Sequence, residues 1–302
     1  MSDLDASYCY CQVVARRAAS SFCWSFRLLP RPKRRAMYAL YAFARHTDDL
    51  ADNAHTAAVR RGALQQWRRA LEMALTNPSS NLILRALADT VRRYDLPPRY
   101  LFEIIEGVTR DTTAVQLASF QELERYCYLV ASSVGLACIH IWGFSAPRAI
   151  DRAIDCGMAF QLTNILRDLH EDAEQGRVYI PREDLDRYDV SVAQLRLGTP
   201  TRQLAALIRF ETERAAQYYR QAAELSAWLH PEGWRVLRLM LRTYWHMLCK
   251  VRQRGPHIQD RSVRVGSLGR LAIAGSAFLP HRELSARYFT FSDGPPDIRV
   301  ES

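Results

Sequence analysis

Two pairs of aspartates, Asp48 with Asp52 and Asp168 with Asp172, lie about 120 residues apart in this 302-residue chain. At about 100° per residue, each pair shares one helix face with other polar side chains, in a stripe less than about 80° wide. The surrounding residues are mainly Leu, Ile, Phe and Ala, and turning such a stripe inward is costly unless its charges are compensated. We therefore expect both stripes to face inward and to bind hard cations, because Mg²⁺ takes oxygen ligands and favours one or two carboxylates plus substrate phosphates.

Each stripe contains two further polar residues. The first stripe consists of Tyr41, Arg45, Asp48 and Asp52. The second stripe consists of Gln161, Asn164, Asp168 and Asp172. Carboxylates one helical turn apart can hold one metal ion or bridge two, and two facing pairs suit two or three Mg²⁺ ions with a diphosphate between them. Asn164 adds a neutral oxygen ligand beside Asp168.

Positive and hydroxyl-bearing side chains near the stripes suit a diphosphate. Arg45, Arg167 and Arg177 are the expected guanidinium clamps, because arginine forms forked, charge-assisted hydrogen bonds with phosphate oxygens. Tyr41 and Tyr179 are expected to donate hydrogen bonds to the same oxygens. Such a site would promote departure of diphosphate from an allylic carbon, and a mostly apolar, aromatic cavity would shield the resulting carbocation from water.

Helical periodicity dominates the sequence, and glycine and proline are sparse, with 13 residues each. We predict helices near residues 4–19, 33–53, 56–76, 80–94, 98–115, 119–143, 147–173, 201–229 and 232–253, with a weaker one near 268–290. Residues 176–199 are predicted to form a loop with short helical turns. The pattern predicts an all-α fold with one domain over residues 1–290, a single helical bundle around a central cavity that both acidic stripes face, and a flexible polar tail over residues 291–302.

The charge balance restricts the classes of partner that this chain is expected to bind. The formal net charge is +9, and Lys33 and Lys250 are the only lysines, so arginine supplies nearly all of the positive charge. A basic surface suits an anionic small substrate, an anionic lipid or nucleic acid. A nucleic-acid-binding helical protein would concentrate its basic residues on one face, whereas here the arginines are scattered and the most ordered polar residues are acidic. We therefore expect no nucleic-acid partner; a helical scaffold, with both pairs as solvated surface acids, is the other non-enzyme alternative.

The cysteines and the N-terminus indicate the compartment. Seven cysteines, an odd number with no C-x-x-C pair, favour reduced thiols in a reducing compartment. The N-terminus is acidic and polar, unlike a signal peptide, and no run of about 18 apolar residues predicts a membrane span. We expect a cytoplasmic protein, and the sequence carries no signal for its oligomeric state.

Four segments, at residues 21–30, 37–52, 126–135 and 157–181, resemble the squalene/phytoene synthase family of head-to-head prenyl diphosphate synthases. The segment from Gln161 through Asn164 and Asp168 to Gly176-Arg-Val-Tyr-Ile-Pro181 is highly specific for that family. The resemblance implies an isoprenoid synthase fold, magnesium dependence, and condensation of two identical allylic diphosphates through a cyclopropylcarbinyl diphosphate. Head-to-tail synthases and terpene cyclases share the metal chemistry, but their usual acidic motifs differ from the spacing here.

The resemblance also implies roles for individual residues. The metal-binding set is Asp48, Asp52, Asn164, Asp168 and Asp172. The diphosphate contacts are Ser21, Arg45, Arg167, Arg177 and Tyr179. The wall of the prenyl channel is Phe22, Phe26, Tyr41, Tyr128, Val134 and Gln161. Gly107 and Asp111 match family positions for which we expect a role in helix packing or behind the site. The run Ala18-Ala-Ser-Ser-Phe22 departs from the His-Ser-x-Ser-Phe pattern of many members.

The resemblance leaves the length of the prenyl chain open. Two C15 farnesyl chains would give presqualene diphosphate, with or without conversion to squalene, and two C20 geranylgeranyl chains would give the carotenoid precursor phytoene. The entry run at residues 18–22 and the basic run at 261–270 favour the bacterial presqualene diphosphate synthases of hopanoid and squalene pathways. No G-x-G-x-x-G motif is present, so NADPH is not indicated. Peripheral membrane contact at the inner membrane surface is expected, because the substrates and products partition into lipid and arginines attract anionic headgroups.

Overall fold

A computed structural model describes residues 2–17, 23, 25–52, 56–113, 115–257 and 286–291. Most of these residues are helical, which confirms the all-α prediction. The α-helices are α1 (Asp3–Arg17), α2 (Arg31–Asp52), α3 (Ala57–Thr76), α4 (Leu82–Arg93), α5 (Arg99–Arg110), α6 (Phe120–Cys127), α7 (Ser133–Trp142), α8 (Arg148–Arg167), α9 (Leu169–Glu174), α10 (Arg182–Arg187), α11 (Val192–Leu197), α12 (Arg202–Ala223) and α13 (Pro231–Arg254). The shorter elements are a π-helical turn (Tyr128–Ser132), 3₁₀ turns (Phe26–Leu28, Glu224–Ala227 and Ala286–Phe289) and two parallel two-residue strands, β1 (Val115–Gln116) and β2 (Arg177–Val178).

Three predicted helices are interrupted in the structure. The helix predicted over 98–115 ends at Arg110, the one over 119–143 contains the π-helical turn, and the one over 147–173 stops at Arg167 and restarts at Leu169. Asp168 lies at that last break, with φ −101° and ψ 12°. Its N–H still donates to the Asn164 carbonyl at 2.9 Å, and the Asp172 N–H donates to the Asp168 carbonyl at 2.8 Å. The two aspartates therefore stay one turn apart despite the break.

The chain divides into two compact units. Unit 1 comprises residues 1–114, 128–154 and 228–237, and unit 2 comprises residues 115–127, 155–227 and 238–302. The prediction of one domain over residues 1–290 stays a prediction. Residues 292–302 of the predicted tail, and residues 268–285 of the weaker predicted helix, lie outside the described residues.

Helix α2 forms the core of unit 1 together with α1, α3 and α4. Its buried face includes Met37, Leu40 and Phe43, and burial of each such side chain contributes roughly 1.5–3 kcal/mol. The Phe43 ring stacks on Trp67 of α3 with centroids 5.8 Å apart. The Trp67 indole N–H donates to the Thr47 hydroxyl at 3.0 Å. This contact joins α3 to the part of α2 that carries the first acidic pair.

Gly107 of α5 lies directly against the π-helical turn in unit 1. A Cβ atom at Gly107 would lie 2.8 Å from Val130 Cγ1 and 3.0 Å from the Leu129 carbonyl carbon. Only glycine, which has no Cβ atom, allows α5 to approach the backbone of the π-helical turn this closely. The predicted helix-packing role of Gly107 is therefore confirmed, and the close approach fixes the turn that begins at Tyr128.

Aromatic packing dominates the core of unit 2. The Phe160 ring of α8 stacks on Tyr244 of α13 with centroids 4.4 Å apart. The Tyr219 hydroxyl of α12 shares a hydrogen bond of 2.8 Å with Thr163, and its ring stacks on the fully buried Phe289 at 5.5 Å. The 3₁₀ turn at Ala286–Phe289 thus completes the packing around the helix that carries the second acidic stripe.

A buried charge cluster joins α10 to α12 in unit 2. The Arg214 guanidinium donates to Asp184 at 2.7 Å and to Glu211 at 2.8 Å, and it lies over the Phe120 ring at 4.0 Å. Burial raises the pKa of the Glu211 carboxyl to about 8. The cluster holds the segment that follows β2, where Tyr179 lies.

All seven cysteines are free, and all except Cys9 are buried, as expected for reduced thiols. Within the described part of the chain, no helix combines the length and the apolar character needed to cross a membrane.

Gly107→Ala is expected to destabilise the protein by about 1–3 kcal/mol, because the added methyl group overpacks the contact with Leu129 and Val130. Gly62→Ala in α3 is the matched control, since a Cβ atom there meets nothing within 4 Å. That change should stabilise the helix by about 0.5–1 kcal/mol. Urea denaturation of both variants measures the difference, and equal stabilities would contradict the close packing.

Candidate active site

The first acidic pair lies at the C-terminal end of α2. Asp48, Asp49 and Asp52 occupy the final residues of this helix, and its last turn contains no basic residue. The helix dipole places partial negative charge there, so the dipole and the like charges both disfavour three carboxylates. Positive charge from outside this last turn therefore stabilises the end of α2.

The surroundings of Asp48 disfavour the charged form of its carboxyl group. Burial raises the pKa of Asp48 to about 7, and the charge of Asp52 raises it further, whereas the guanidinium of Arg45 lowers it. Water nevertheless reaches Arg45, Asp48 and Asp52, all of which are exposed. The expectation that the first stripe is buried was therefore wrong: these carboxylates are closely surrounded by protein yet open to solvent, as a metal ligand must be.

The other residues of the first stripe surround the pair. Arg45 forms an ion pair with Asp49 at 2.6 Å, and both side chains are about half exposed. Tyr41 is half-buried, and its ring meets the edge of the Phe26 ring at 6.5 Å. Phe26 is 3% exposed. Arg45 is thus held beside the carboxylates, and Tyr41 lies at the edge of the apolar core.

Arg60 of α3 caps the end of α2, a role that the sequence analysis missed. Its guanidinium donates to the Ala51 carbonyl at 3.2 Å and to the Thr112 carbonyl at 3.1 Å. One contact neutralises the negative end of α2, and the other ties that end to the residue after Asp111, whose charge also raises the pKa of Asp48. The only sequence signal was a helix ending in three acids with an arginine soon afterwards.

The second stripe is half-buried and contains an unsatisfied oxygen. The Asn164 side-chain N–H donates to Gln161 Oε1 at 3.3 Å. The Asn164 Oδ1 atom is buried and has no hydrogen-bond partner among the described residues. A buried polar oxygen without a partner costs about 1–3 kcal/mol, and a hard cation is the partner that an amide oxygen one turn from Asp168 fits.

Arginines neutralise both carboxylates of the second stripe. Arg167 binds Asp168 in a forked pair, with Nε to Oδ1 at 2.8 Å, and this hydrogen bond raises the pKa of Arg167. Arg177 binds Asp172 at 3.1 Å. The predicted diphosphate clamps are therefore held against the predicted metal ligands.

Tyr244 of α13 belongs to this site, although the sequence analysis did not identify it. The Asn164 side-chain N–H donates to the Tyr244 hydroxyl oxygen, which leaves Asn164 Oδ1 without a partner, and burial raises the pKa of Tyr244 to about 12. Periodicity marks Tyr244 only as a buried residue, and no local pattern connects it with a residue 80 positions earlier. Tyr179 is also buried, and its ring stacks on Tyr126 at 4.8 Å.

The predicted channel residues lie in different places. Tyr128 begins the π-helical turn, and its hydroxyl donates to Glu103 at 3.1 Å. Single π-helical turns often accompany functional sites. Val134 of α7 is half-buried. Ser21 and Phe22 lie outside the described residues.

The structure groups the predicted residues by unit. Unit 1 contains Phe26, Tyr41, Arg45, Asp48, Asp52, Tyr128 and Val134. Unit 2 contains Gln161, Asn164, Arg167, Asp168, Asp172, Arg177 and Tyr179. Among the described residues, no group of three His, Cys, Asp or Glu side chains forms a ready metal centre. Mg²⁺ commonly binds through one or two carboxylates plus water and substrate phosphates, so each aspartate pair, with Asn164 in unit 2, fits as a partial ligand set.

Solved structures define the class of fold. A dehydrosqualene synthase crystallised with a ligand superposes with a TM-score of 0.83 at 28% identity, over 91% of this chain and 96% of that one. A squalene synthase from Alicyclobacillus acidocaldarius has a TM-score of 0.78 at 26% identity, over 83% and 95%. The fold is therefore the all-α isoprenoid synthase fold.

Sequence comparison gives the family. The model of the family described as squalene/phytoene synthase matches residues 15–268. The phytoene synthase of Mycobacterium tuberculosis is 33% identical over 280 residues, which cover 92% of each chain. The chain belongs to the squalene/phytoene synthase family, whose members are prenyl transferases that join their substrates head to head and bind prenyl diphosphates with a divalent metal.

Asp48→Asn is expected to stabilise the metal-free protein near pH 8 and to have little effect near pH 4. The pKa of Asp48 is raised from 3.8 to about 7, so the stability that its protonated form contributes is present below about pH 4 and is lost as the pH rises through about 7. Mg²⁺ should stabilise the wild type near pH 8 more than it stabilises the variant. Denaturation at both pH values, with and without Mg²⁺, measures this; a variant less stable at the higher pH would contradict it.

Arg60→Ala is expected to raise the Mg²⁺ concentration for half-maximal activity by about 10–100-fold, the usual effect of removing a group that orients metal ligands. Arg60→Lys retains a positive donor and should recover part of the affinity. Arg92→Ala removes an exposed arginine of α4 and serves as the control. Magnesium titrations of activity separate the variants, and an Arg60→Ala titration identical to that of Arg92→Ala would exclude a positioning role.

Proposed function

We propose that this protein condenses two farnesyl diphosphates to presqualene diphosphate, using two or three Mg²⁺ ions held by Asp48, Asp52, Asn164, Asp168 and Asp172. The unpartnered Asn164 Oδ1 beside two carboxylates is the observation that carries the proposal. When bound, the metal ions would neutralise the diphosphates and withdraw electrons from the allylic C–O bond. Each aspartate pair serves a diphosphate in this scheme.

The arginines of unit 2 exchange partners when substrate binds. In the metal-free chain, Arg167 holds Asp168 and Arg177 holds Asp172. If Asp168 and Asp172 hold metal, both guanidiniums would be placed to donate forked hydrogen bonds to phosphate oxygens. Tyr179 donates its phenolic proton in a further hydrogen bond to the same group. The chain thus supplies positive charge at the oxygens where negative charge develops as the C–O bond breaks.

The residues of unit 1 bind and orient the other diphosphate and the prenyl chains. Arg45 stands next to the first acidic pair, where it can donate to phosphate oxygens. Tyr41 and Phe26 place aromatic rings in contact, and aromatic faces stabilise a nearby carbocation. Tyr128 and Val134 extend this apolar wall. Their exclusion of water directs the allylic cation to the double bond of the second substrate, and ring closure with loss of one proton from that substrate then gives the cyclopropylcarbinyl diphosphate.

Two chain lengths have separate support. Two solved relatives above 25% identity are a dehydrosqualene synthase and a squalene synthase, and both names denote C30 products. The curated relatives that match most of the sequence are phytoene synthases, so condensation of two geranylgeranyl diphosphates to phytoene is the second candidate. The buried free cysteines support a cytoplasmic location in either case.

Incubation of the purified protein with C15 or C20 diphosphate and Mg²⁺, with and without NADPH, tests the proposal by mass analysis of the extracted lipids. A C30 cyclopropyl diphosphate formed without NADPH is the expected result, and squalene formed only with NADPH would add a reductive second step. A C40 hydrocarbon from the C20 substrate alone would select phytoene synthesis instead. Release of no diphosphate from either substrate would refute both candidates.

Asp48→Asn and Asp168→Asn are each expected to lower turnover at least about a hundredfold, because the Lewis-acid contribution of a metal is several kcal/mol. Asp186→Asn is the matched control: this exposed carboxylate pairs with Arg182 at 3.6 Å on the surface of α10. Diphosphate release under saturating Mg²⁺ compares the three variants. Wild-type turnover in either site variant would show that its carboxylate is not a ligand.

A further inference from the structure

The π-helical turn of unit 1 is fixed by three contacts with its surroundings. Gly107 of α5 packs directly against its backbone. The Ser133 hydroxyl donates to the Leu129 carbonyl at 2.6 Å, and the Ser132 hydroxyl donates to the Ile154 carbonyl of α8 at 2.9 Å. Both serines are buried. The backbone of this turn therefore keeps its position without help from the side chain of its first residue.

That first residue, Tyr128, makes a separate side-chain contact with α5. Its hydroxyl donates to Glu103 Oε2 at 3.1 Å. Glu103 lies one helical turn before Gly107, so the two residues share the face of α5 that meets the π-helical turn. Burial, together with the charge of Glu103, raises the pKa of Tyr128 to about 12, so the phenol keeps its proton at neutral pH. The single phenolic proton is thus directed at the Glu103 carboxylate.

The Glu103 carboxylate has no ion-pair partner among the described residues. Burial raises the pKa of Glu103, whereas the hydrogen bond from Tyr128 and the charge of Arg99 lower it. The other acid of α5, Glu106, is exposed and pairs with Arg110 at 3.1 Å. One acid of this helix is therefore committed to the Tyr128 phenol, and the other forms a surface ion pair.

We propose that Glu103 is a positioning residue, which holds the Tyr128 phenol so that its oxygen lone pairs face the reacting prenyl chains. The inference rests on the proposed function, in which Tyr128 belongs to the wall around the allylic cation. Because the only phenolic proton is donated to Glu103, the oxygen presents lone pairs to its other neighbours. A fixed dipole whose negative end faces a developing positive charge stabilises the transition state. A bracing role alone would be redundant, since Gly107, Ser132 and Ser133 already fix the turn.

A double-mutant cycle tests whether Glu103 acts through Tyr128. Glu103→Ala should lower kcat about ten- to a hundredfold, the usual range for loss of a hydrogen bond to a charged group. KM for the prenyl diphosphate should change less than about twofold, because the Tyr128 ring still contacts the chain in the ground state. Tyr128→Phe removes the phenol oxygen and should lower kcat at least as much. Adding Glu103→Ala to Tyr128→Phe should cause little further loss, because both changes remove one shared interaction.

Two further variants separate positioning from a structural effect. Glu103→Gln keeps a neutral acceptor for the phenol and should recover part of kcat. Glu106→Ala removes the other acid of α5 and is the matched control, with wild-type kcat expected.

Product analysis adds a measurement of the cation itself. In Glu103→Ala, a larger share of the consumed substrate should appear as prenyl alcohol, which forms when water captures the allylic cation and a proton is released. A protein that is only less stable would make less of both products in an unchanged ratio. Urea denaturation of each variant identifies any loss of fold, and the same cycle with Glu103→Gln replaces the first if Glu103→Ala does not fold.

Three results would overturn the role of Glu103: losses that add in the cycle, a raised KM without a lowered kcat, or an equal fall of kcat in Glu106→Ala. A wild type that releases no diphosphate from C15 or C20 substrate would refute the proposed function and this role with it. An active wild type whose Glu103 variants are equally active would overturn this role alone.

Discussion

The end of α2 carries an electrostatic conflict on which the site depends. Three aspartates occupy the negative end of a helix dipole, and no basic residue of that turn offsets them. Arg60 relieves part of the conflict from α3 by binding the Ala51 carbonyl. Burial and the charge of Asp52 still raise the pKa of Asp48, so its charged form remains disfavoured. On the proposed function, a divalent cation held by Asp48 and Asp52 would offset this remaining charge, and folding of unit 1 would then be linked to metal binding through the same carboxylates.

The carboxylate charges of the two acidic stripes are balanced in different ways in the metal-free chain. In unit 1, the Asp48 and Asp52 side chains are exposed, yet the protein around Asp48 still disfavours its charged form. In unit 2, arginines cover the acids, with Arg167 forked onto Asp168. Burial explains the difference, because half-buried carboxylates cannot rely on solvent and need a charged partner. The second arrangement keeps the proposed diphosphate-binding arginines next to the acids.

Sequence patterns predicted the helices well where packing follows periodicity. The predicted ends of α2, α3, α4 and α13 fall within two residues of the observed ones, because prolines and capping residues mark those boundaries. Periodicity did not predict the π-helical turn, which depends on the contact of Gly107 with Leu129 and Val130. Arg60 and Tyr244 were also missed, since their roles arise from tertiary contacts. The sequence predicted the acidic stripes because the spacing of their residues is local, but it did not predict the solvent exposure of Asp48 and Asp52.

The pairing of Arg167 with Asp168, and of Arg177 with Asp172, has a thermodynamic consequence. If Asp168 and Asp172 hold metal as proposed, an ion arriving alone would have to displace both guanidiniums from their carboxylates, and a diphosphate arriving alone would find those guanidiniums engaged. Each ligand would then expose groups that the other needs, and by linkage each would raise the affinity of the other by the same factor. Unit 2 would bind either ion weakly when it arrives by itself and would bind the two ions tightly when both are present.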